Sequence, residues 1–252
     1  MFWETSLLLP SSTKHSHNHP PITKTMASQP ETPKPLIVIL ALDKAAFYYD
    51  LHVDFNKLLK RHADVEYATT PAEARAFFNR TTNNNKNKPA AILSADESLT
   101  VSTRLTLVHE GHGYVRSAGT LVFMGLFSSY SRPSDISLLF SRFDLPWASG
   151  DYHRTTFGLN PAMTHFETGG LAGSYSQKAL QVKNVERIDA VYLPSDESRT
   201  ESAVFPSRPV GDRTQAPAAF ARVGAGRVGY MGDVNDESET SALVLRMCGL
   251  VV

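Results

Sequence analysis

The chain of 252 residues contains one cysteine, Cys248, so no intrachain disulfide can form. With no secretion signal, that cysteine usage points to a reducing, cytoplasmic setting. No apolar run comes near the roughly 18 residues that a membrane helix requires. The greasy start, Met1 to Leu9, is short and lacks a basic n-region. No membrane partner is therefore expected. Neither sign of charge is in excess, since Lys+Arg and Asp+Glu both count 25. That balance argues against a nucleic-acid footprint and against a polybasic membrane patch. A dinucleotide fingerprint is missing too: Gly224-Ala225-Gly226 is too short and sits in a hairpin. No cofactor is expected. His109-Glu110-Gly111-His112 has its histidines three apart, where a zinc-protease helix needs four. Without a third ligand it reads as a solvent-facing helix end, and no metal is expected.

Hydrophobic residues make up 42% of the chain, enough for a real core. Residues 1–35 are set apart by Pro, Ser, Thr, Lys and His and read as a disordered leader. Its His15-Ser16-His17-Asn18-His19 tract is a polar tail, and Met26 offers an alternative translation start. Residues 36–252 read as a single domain. Leu36 to Leu42 is a continuous apolar run, as in a strand buried on both faces. A helical stripe follows at Leu51, Phe55, Leu58 and Leu59, then a strand at 64–68. Thr70-Pro71-Ala72-Glu73 is a capping box with proline at the first helical position. Strand 90–93, a helix through Val108 and Val115, and strand 120–124 complete a β-α-β-α-β-α-β series. That series implies α/β architecture: a mostly parallel, flavodoxin-like sheet with helices on both faces. A helix with Ser134 as its N-cap comes next. Beyond Trp147 the texture becomes short strands, at 154–159, 179–182, 190–193, 203–205, 218–223 and 227–231. This is a β-rich C-terminal extension, closed by a final helix through Leu243 and Met247.

Strand 120–124 runs into Met124-Gly125-Leu126-Phe127, a tight turn where many α/β enzymes carry a Ser or Cys nucleophile. The nucleophile position is assigned to Phe127. Tyr114 to Leu126 resembles the central segment of ThuA-like proteins, a branch of the class I glutamine amidotransferase-like superfamily. Ala219 to Asp233 is similar to that family's late hairpin, where a Gly-x-Gly-Arg-Val turn feeds the last strand. Phe127-Ser128-Ser129, Gly150 to Thr156 and Met247 to Leu250 also resemble stretches of a group of filamentous-fungal proteins. The resemblance implies an amidotransferase-like sheet and, by analogy of fold, a sugar-like or otherwise hydroxylated ligand. Amidotransferase relatives use a Cys at the elbow with a later His and acid. Here Phe127 stands at the elbow, no His lies near Gly232-Asp233-Val234-Asn235, and Cys248 reads as a packing residue. Glutamine hydrolysis is not expected.

Ligand sites in parallel sheets lie beyond the carboxyl ends of the strands. Asp96, Glu97, Asp233 and Asn235 follow strands and should reach that edge, with Phe127, Ser128, Ser129 and Arg132 beside them. Each acid and amide there doubles as a helix N-cap in the plainer reading. Asp151-Tyr152-His153-Arg154 reads as a turn before a strand. In it His153 would exchange protons, Asp151 would orient it and Arg154 would clamp an anion. The first expectation is a protein that binds a small polar metabolite at the carboxyl edge. A hydrolase or isomerase using His153, and a non-catalytic scaffold or assembly subunit, are the alternatives. A homo-oligomer stays open.

Overall fold

The computed structural model describes residues 33–80 and 88–251. Residues 1–32 of the leader and most of the Asn-rich loop at 81–88 lie outside them. Among the described residues nine strands form one mixed sheet, with seven α-helices around it. The strands are β1 (Leu36–Leu40), β2 (Asp64–Ala68), β3 (Ala91–Ser94), β4 (Thr120–Phe123), β5 (Ala148–Leu159), β6 (Ser174–Lys183), β7 (Ala190–Pro194), β8 (Ala218–Val223) and β9 (Gly226–Met231). The helices are α1 (Ala45–Leu51), α2 (Val53–His62), α3 (Pro71–Phe78), α4 (Leu105–Arg116), α5 (Phe127–Tyr130), α6 (Pro133–Ser141) and α7 (Ser238–Met247). Strand order is β2-β1-β3-β4-β9-β8-β7-β5-β6.

The expected mostly parallel sheet is corrected by this order. β2, β1, β3, β4 and β9 pair in parallel. β9-β8-β7-β5-β6 pair antiparallel. The β-rich region is therefore no separate extension. It continues the same sheet, because the tight turn at Gly224 (φ 60°) sends β9 back along β8 and into the slot beside β4.

Alternation along the buried strands separates two cores. Ile37, Ile39, Leu93 and Val122 join Phe55 and Leu59 of α2 and Leu243 and Val244 of α7. Val38, Leu40, Ile92 and Leu121 join Phe77 of α3, Val108 and Val115 of α4, and Phe140 of α6. Thr70 caps α3 with the reciprocal Glu73 bonds that the sequence predicts. Two local expectations differ. The N-cap of α6 is Arg132, with Ser134 inside the first turn and donating to Asp135. Residues 203–205 make bends instead of a strand, leaving Val204 and Phe205 exposed.

The β5-β6 hairpin also shapes the carboxyl edge. Beyond β9 the chain docks directly on β6: Leu180 N–H donates to Gly232 at 3.0 Å, and Val234 N–H donates to Lys178 at 3.0 Å. A Cβ on Gly232 would stand 2.0 Å from the Leu180 carbonyl oxygen. Gly232→Ala should abolish folding, while Gly173→Ala, which meets nothing within 4 Å, should keep the wild-type unfolding temperature or raise it slightly. Thermal unfolding followed by circular dichroism checks both.

Candidate functional site

Three loops meet beyond the carboxyl ends of β1, β4 and β9. The first is fastened by Asp96, which follows β3 and is fully buried. Its Oδ2 accepts from the backbone N–H groups of Asp43 and Lys44 at 2.8 and 3.0 Å, and its Oδ1 accepts from Ser98 N–H at 3.1 Å. Arg104 grips Asp43 through both guanidinium nitrogens at 2.6 Å and holds that carboxyl below its usual range. The loop after β1 is thereby fixed, and α1 starts from it at Ala45.

The second loop is the turn after β4. Its left-handed residue is Gly125, at φ 64°. Phe127 lies two residues further on, inside α5, and is fully buried against Phe123, Phe140 and Tyr230. At this left-handed corner there is no side chain at all. A Cβ on Gly125 would lie 3.1 Å from Tyr48 Cε2, 3.2 Å from the Ala95 carbonyl oxygen and 3.4 Å from His52 Nε2.

His52 is the residue that the sequence reading passed over. It is the joint between α1 and α2, with φ −104° and ψ 36°. Its carbonyl accepts from Asn56 N–H at 3.0 Å and from Asn56 Nδ2 at 2.8 Å. Its ring stacks on Tyr48 with centroids 4.7 Å apart. Only 7% of the residue is exposed. Nδ1 lies 3.1 Å from Asp236 Oδ2, near enough for charge attraction but out of line for a hydrogen bond, and Nε2 has no partner. A signal was available. Tyr48, His52, Asn56 and Leu59 repeat at helical spacing and are all buried, so two polar groups interrupt an apolar stripe.

The third loop, between β9 and α7, supplies Asn235 and Asp236. Asp233 anchors it from inside. Its Oδ2 accepts from Glu237 N–H at 2.8 Å and Thr240 Oγ1 at 2.6 Å, and its Oδ1 accepts from Asn235 N–H at 3.0 Å. Burial raises the Asp233 pKa, partly opposed by those donors. Asp236 is held at φ 58°, a left-handed conformation that Asp tolerates better than most residues. The three loops enclose a pocket of about 440 Å³ whose polar groups come from His52, Ser129, Tyr130, Asn235 and Asp236, with Gly125 at its floor.

The structure sorts the expected residues accordingly. Ser129 and Asn235 line this pocket. Ser128 does not, since its hydroxyl donates to Tyr230 Oη and to the Met231 carbonyl in the interior. Asp96 and Asp233 take the capping role. Glu97 and Arg132 line a neighbouring pocket of about 430 Å³ that shares Tyr130. Glu97 is paired with Lys44. Cys248 caps α7 in the interior, where burial pushes its thiol up to about 12.

Asp151-Tyr152-His153-Arg154 is strand interior instead of the expected turn, because β5 begins at Ala148 and pairs with β6 across a bulge. His153 lines a separate hollow of about 810 Å³ with Tyr152, Lys178, Glu201 and Phe205. Gln181 Nε2 approaches its ring at 3.2 Å. Asp151 is exposed, and its backbone N–H donates to Gln215 Oε1 at 2.6 Å. Arg154 reaches the carboxyl edge by another route. Its Nη2 donates to Glu237 Oε1 at 2.5 Å and, with the Asn235 amide turned to suit its neighbours, to the Asn235 oxygen at 2.6 Å. Arg154 thus steadies a wall of the His52 pocket from behind.

Burial lowers the His153 pKa, with the Asp151 charge working against it. The folded value is then below the ordinary 6.5. Stability from the neutral ring is present above that value and is lost as pH falls through it toward the folded value. The fall in unfolding temperature between about pH 7.5 and about pH 5.5 should be smaller in His153→Gln than in wild type. Calorimetry of both proteins across that range measures it.

No family model matches the chain, and no curated protein matches it. Solved structures do. A ThuA-like protein from Bacteroides uniformis superposes with TM-score 0.54 at 11% identity, over 88% of this chain and 93% of that one. A β-galactosidase from Bacillus circulans sp. alkalophilus superposes with TM-score 0.51 at 12% identity, over 86% of this chain but only 31% of that longer one. At such identities the likeness is one of fold: the chain has a distant ThuA-like fold.

Proposed function

We propose that this protein binds a small hydroxylated metabolite, of the size of a sugar, in the pocket between His52, Gly125 and Asp236. The observation that carries this reading is the imidazole of His52. It is nearly buried, lines the pocket and leaves Nε2 without a partner. Buried polar atoms are normally satisfied, so a buried imidazole in the wall of a cavity with neither ring nitrogen hydrogen-bonded is a group that a ligand would satisfy as it settles against that wall. The lining is mixed. Ser129, Asn235 and Asp236 offer hydrogen-bonding groups, while Phe47, Leu51 and Leu126 offer apolar area. Such a lining suits a ligand with hydroxyls along one side and C–H groups along the other. Descent from an amidotransferase-like ancestor fits the same reading. The corner that would carry a nucleophile is a bare glycine, so the pocket keeps its position and loses covalent chemistry.

D-Galactose, D-glucose and lactose are suitable first probes, chosen because a neighbouring fold is that of a β-galactosidase. At tenfold excess over its dissociation constant a bound probe should raise the unfolding temperature by about 3–6 °C. Ser129→Trp fills the mouth of the pocket and should remove the rise while keeping the unligated unfolding temperature. The reading fails if no probe shifts wild type, or if Ser129→Trp responds as wild type does.

A further inference from the structure

We infer that the ligand of this pocket carries an ammonium group and that the Asp236 carboxylate receives it, so that the ligand class is an amino sugar or a comparable hydroxylated amine. This rests on the reading that the pocket holds a hydroxylated ligand and adds a charge to it. The sign of the pocket is the first support. Asp236 is the one acid in its lining, and no Lys or Arg joins it there. The carboxylate is also unmatched. Its side chain is 24% exposed, and its charge neighbour among the described residues is His52, whose Nδ1 stands 3.1 Å from Oδ2 without a hydrogen bond. The nearby cations are committed elsewhere: Lys44 to Glu97, Arg104 to Asp43 and Arg154 to Glu237. Arg132 lines the neighbouring pocket. The Asp236 charge is felt inward, since burial and then that charge raise the Tyr48 pKa well above the ordinary phenol range.

The rest of the lining agrees. Phe47 and Tyr130 line the pocket as exposed rings, edge to face with centroids 6.1 Å apart. Aromatic faces attract ammonium groups, and Tyr130 does so here, with Lys44 Nζ 4.6 Å from its centroid. The His52 ring, 7% exposed and without a hydrogen bond, marks the same wall for a ligand independently of the acid. The carboxylate is held in place as well. Asp233 gathers the N–H groups of Asn235 and Glu237 on either side of it, and Asp236 itself is fixed at φ 58°. A group so held loses little freedom on meeting a ligand. The neighbouring acids have other work. Glu237 caps α7 and pairs with Arg154, and Glu239 lies in the first turn of α7 with the Ser238 hydroxyl on it, where acids offset the helix dipole. A charge-assisted hydrogen bond is roughly twice as strong as a neutral one. An ammonium at Asp236 should therefore bind about tenfold or more tighter than a hydroxyl in the same place.

The test is calorimetric titration of the full chain at about pH 7, where an amino sugar keeps much of its charge. The probes are matched pairs: D-glucosamine against D-glucose, and D-galactosamine against D-galactose. On wild type at least one amine should bind about tenfold or more tighter than its parent sugar. Asp236→Asn should bring that amine down to the parent's affinity and leave the parent unchanged. Asn takes a left-handed conformation as readily as Asp, so this variant should keep the wild-type unfolding temperature. Glu239→Gln removes an acid of the same segment that does not line the pocket and should keep the preference for the amine. Amines no tighter than their parents on wild type would overturn the inference, and would mean that His52 as an imidazolium already neutralises the carboxylate. A preference that survives Asp236→Asn, or that Glu239→Gln abolishes, would overturn it too, since the charge would then act from elsewhere. Failure of the binding reading looks different. There no member of either pair binds wild type, or all bind Ser129→Trp as they bind wild type.

Discussion

The buried carboxylate of Asp96 is the constraint on which the carboxyl edge depends. Asp96 receives N–H groups from Asp43, Lys44 and Ser98, which ties the chain leaving β1 to the chain leaving β3. Hydrogen bonds to a buried charge are among the stronger ones in a protein, and orphaning it is costly. The tie fixes where α1 begins. From that start Tyr48 lies against the turn at Gly125, and His52 follows one helical turn later, stacked on Tyr48. A second buried carboxylate does the same service after β9. Asp233 gathers Asn235, Glu237 and Thr240 and so sets the turn that carries Asp236. Two structural acids thus hold, from opposite sides, the imidazole and the carboxylate that face the pocket.

The bare corner at Gly125 lets α1 pack closely against the turn after β4. A side chain there would be strained by φ 64° and crowded by Tyr48 and the Ala95 carbonyl. With hydrogen alone at that position, Tyr48 and His52 move in to contact distance. The aromatic packing of Phe127 beneath the turn makes α5 part of the core. The bend at Gly125 is met by the imidazole approaching from the α1-α2 joint. The β5-β6 hairpin completes the enclosure by docking on the chain after β9, with Arg154 bracing Asn235 and Glu237.

Local signals in the sequence were legible and structure bears them out: the Thr70 capping box, the Gly224 hairpin, the alternation of strand and helix up to β4, and the apolar runs of β1 and β3. Signals that depend on distant pairing were not. The parallel reading failed for the second half because β5 to β8 join the sheet through antiparallel neighbours that no local pattern announces. Asp151 to Arg154 looked like a turn because polar residues cluster there, yet they lie in β5 beside its bulge, with Asp151 and Tyr152 exposed and His153 and Arg154 half-buried. Asp96 and Asp233 were read as edge residues with a capping role as the plainer alternative; both are buried and anchor the loops after β3 and β9. Phe127 drew attention as a replaced nucleophile, and in the fold it is fully buried beneath the turn, whose left-handed residue is Gly125. His52 lay unread in a helical stripe, since its meaning comes from Asp236, far away in sequence. A buried His and Asn at helical spacing was the available hint.

The claim at the centre of this account is that the His52 ring faces the ligand. Ring-nitrogen NMR of the 15N-histidine protein, titrated with D-galactose, addresses it directly. The account predicts that the His52 Nε2 resonance moves with saturation while that of His153 stays in place. A saturable shift at His153 with His52 unmoved would contradict it and would put the site in the hollow beside β5.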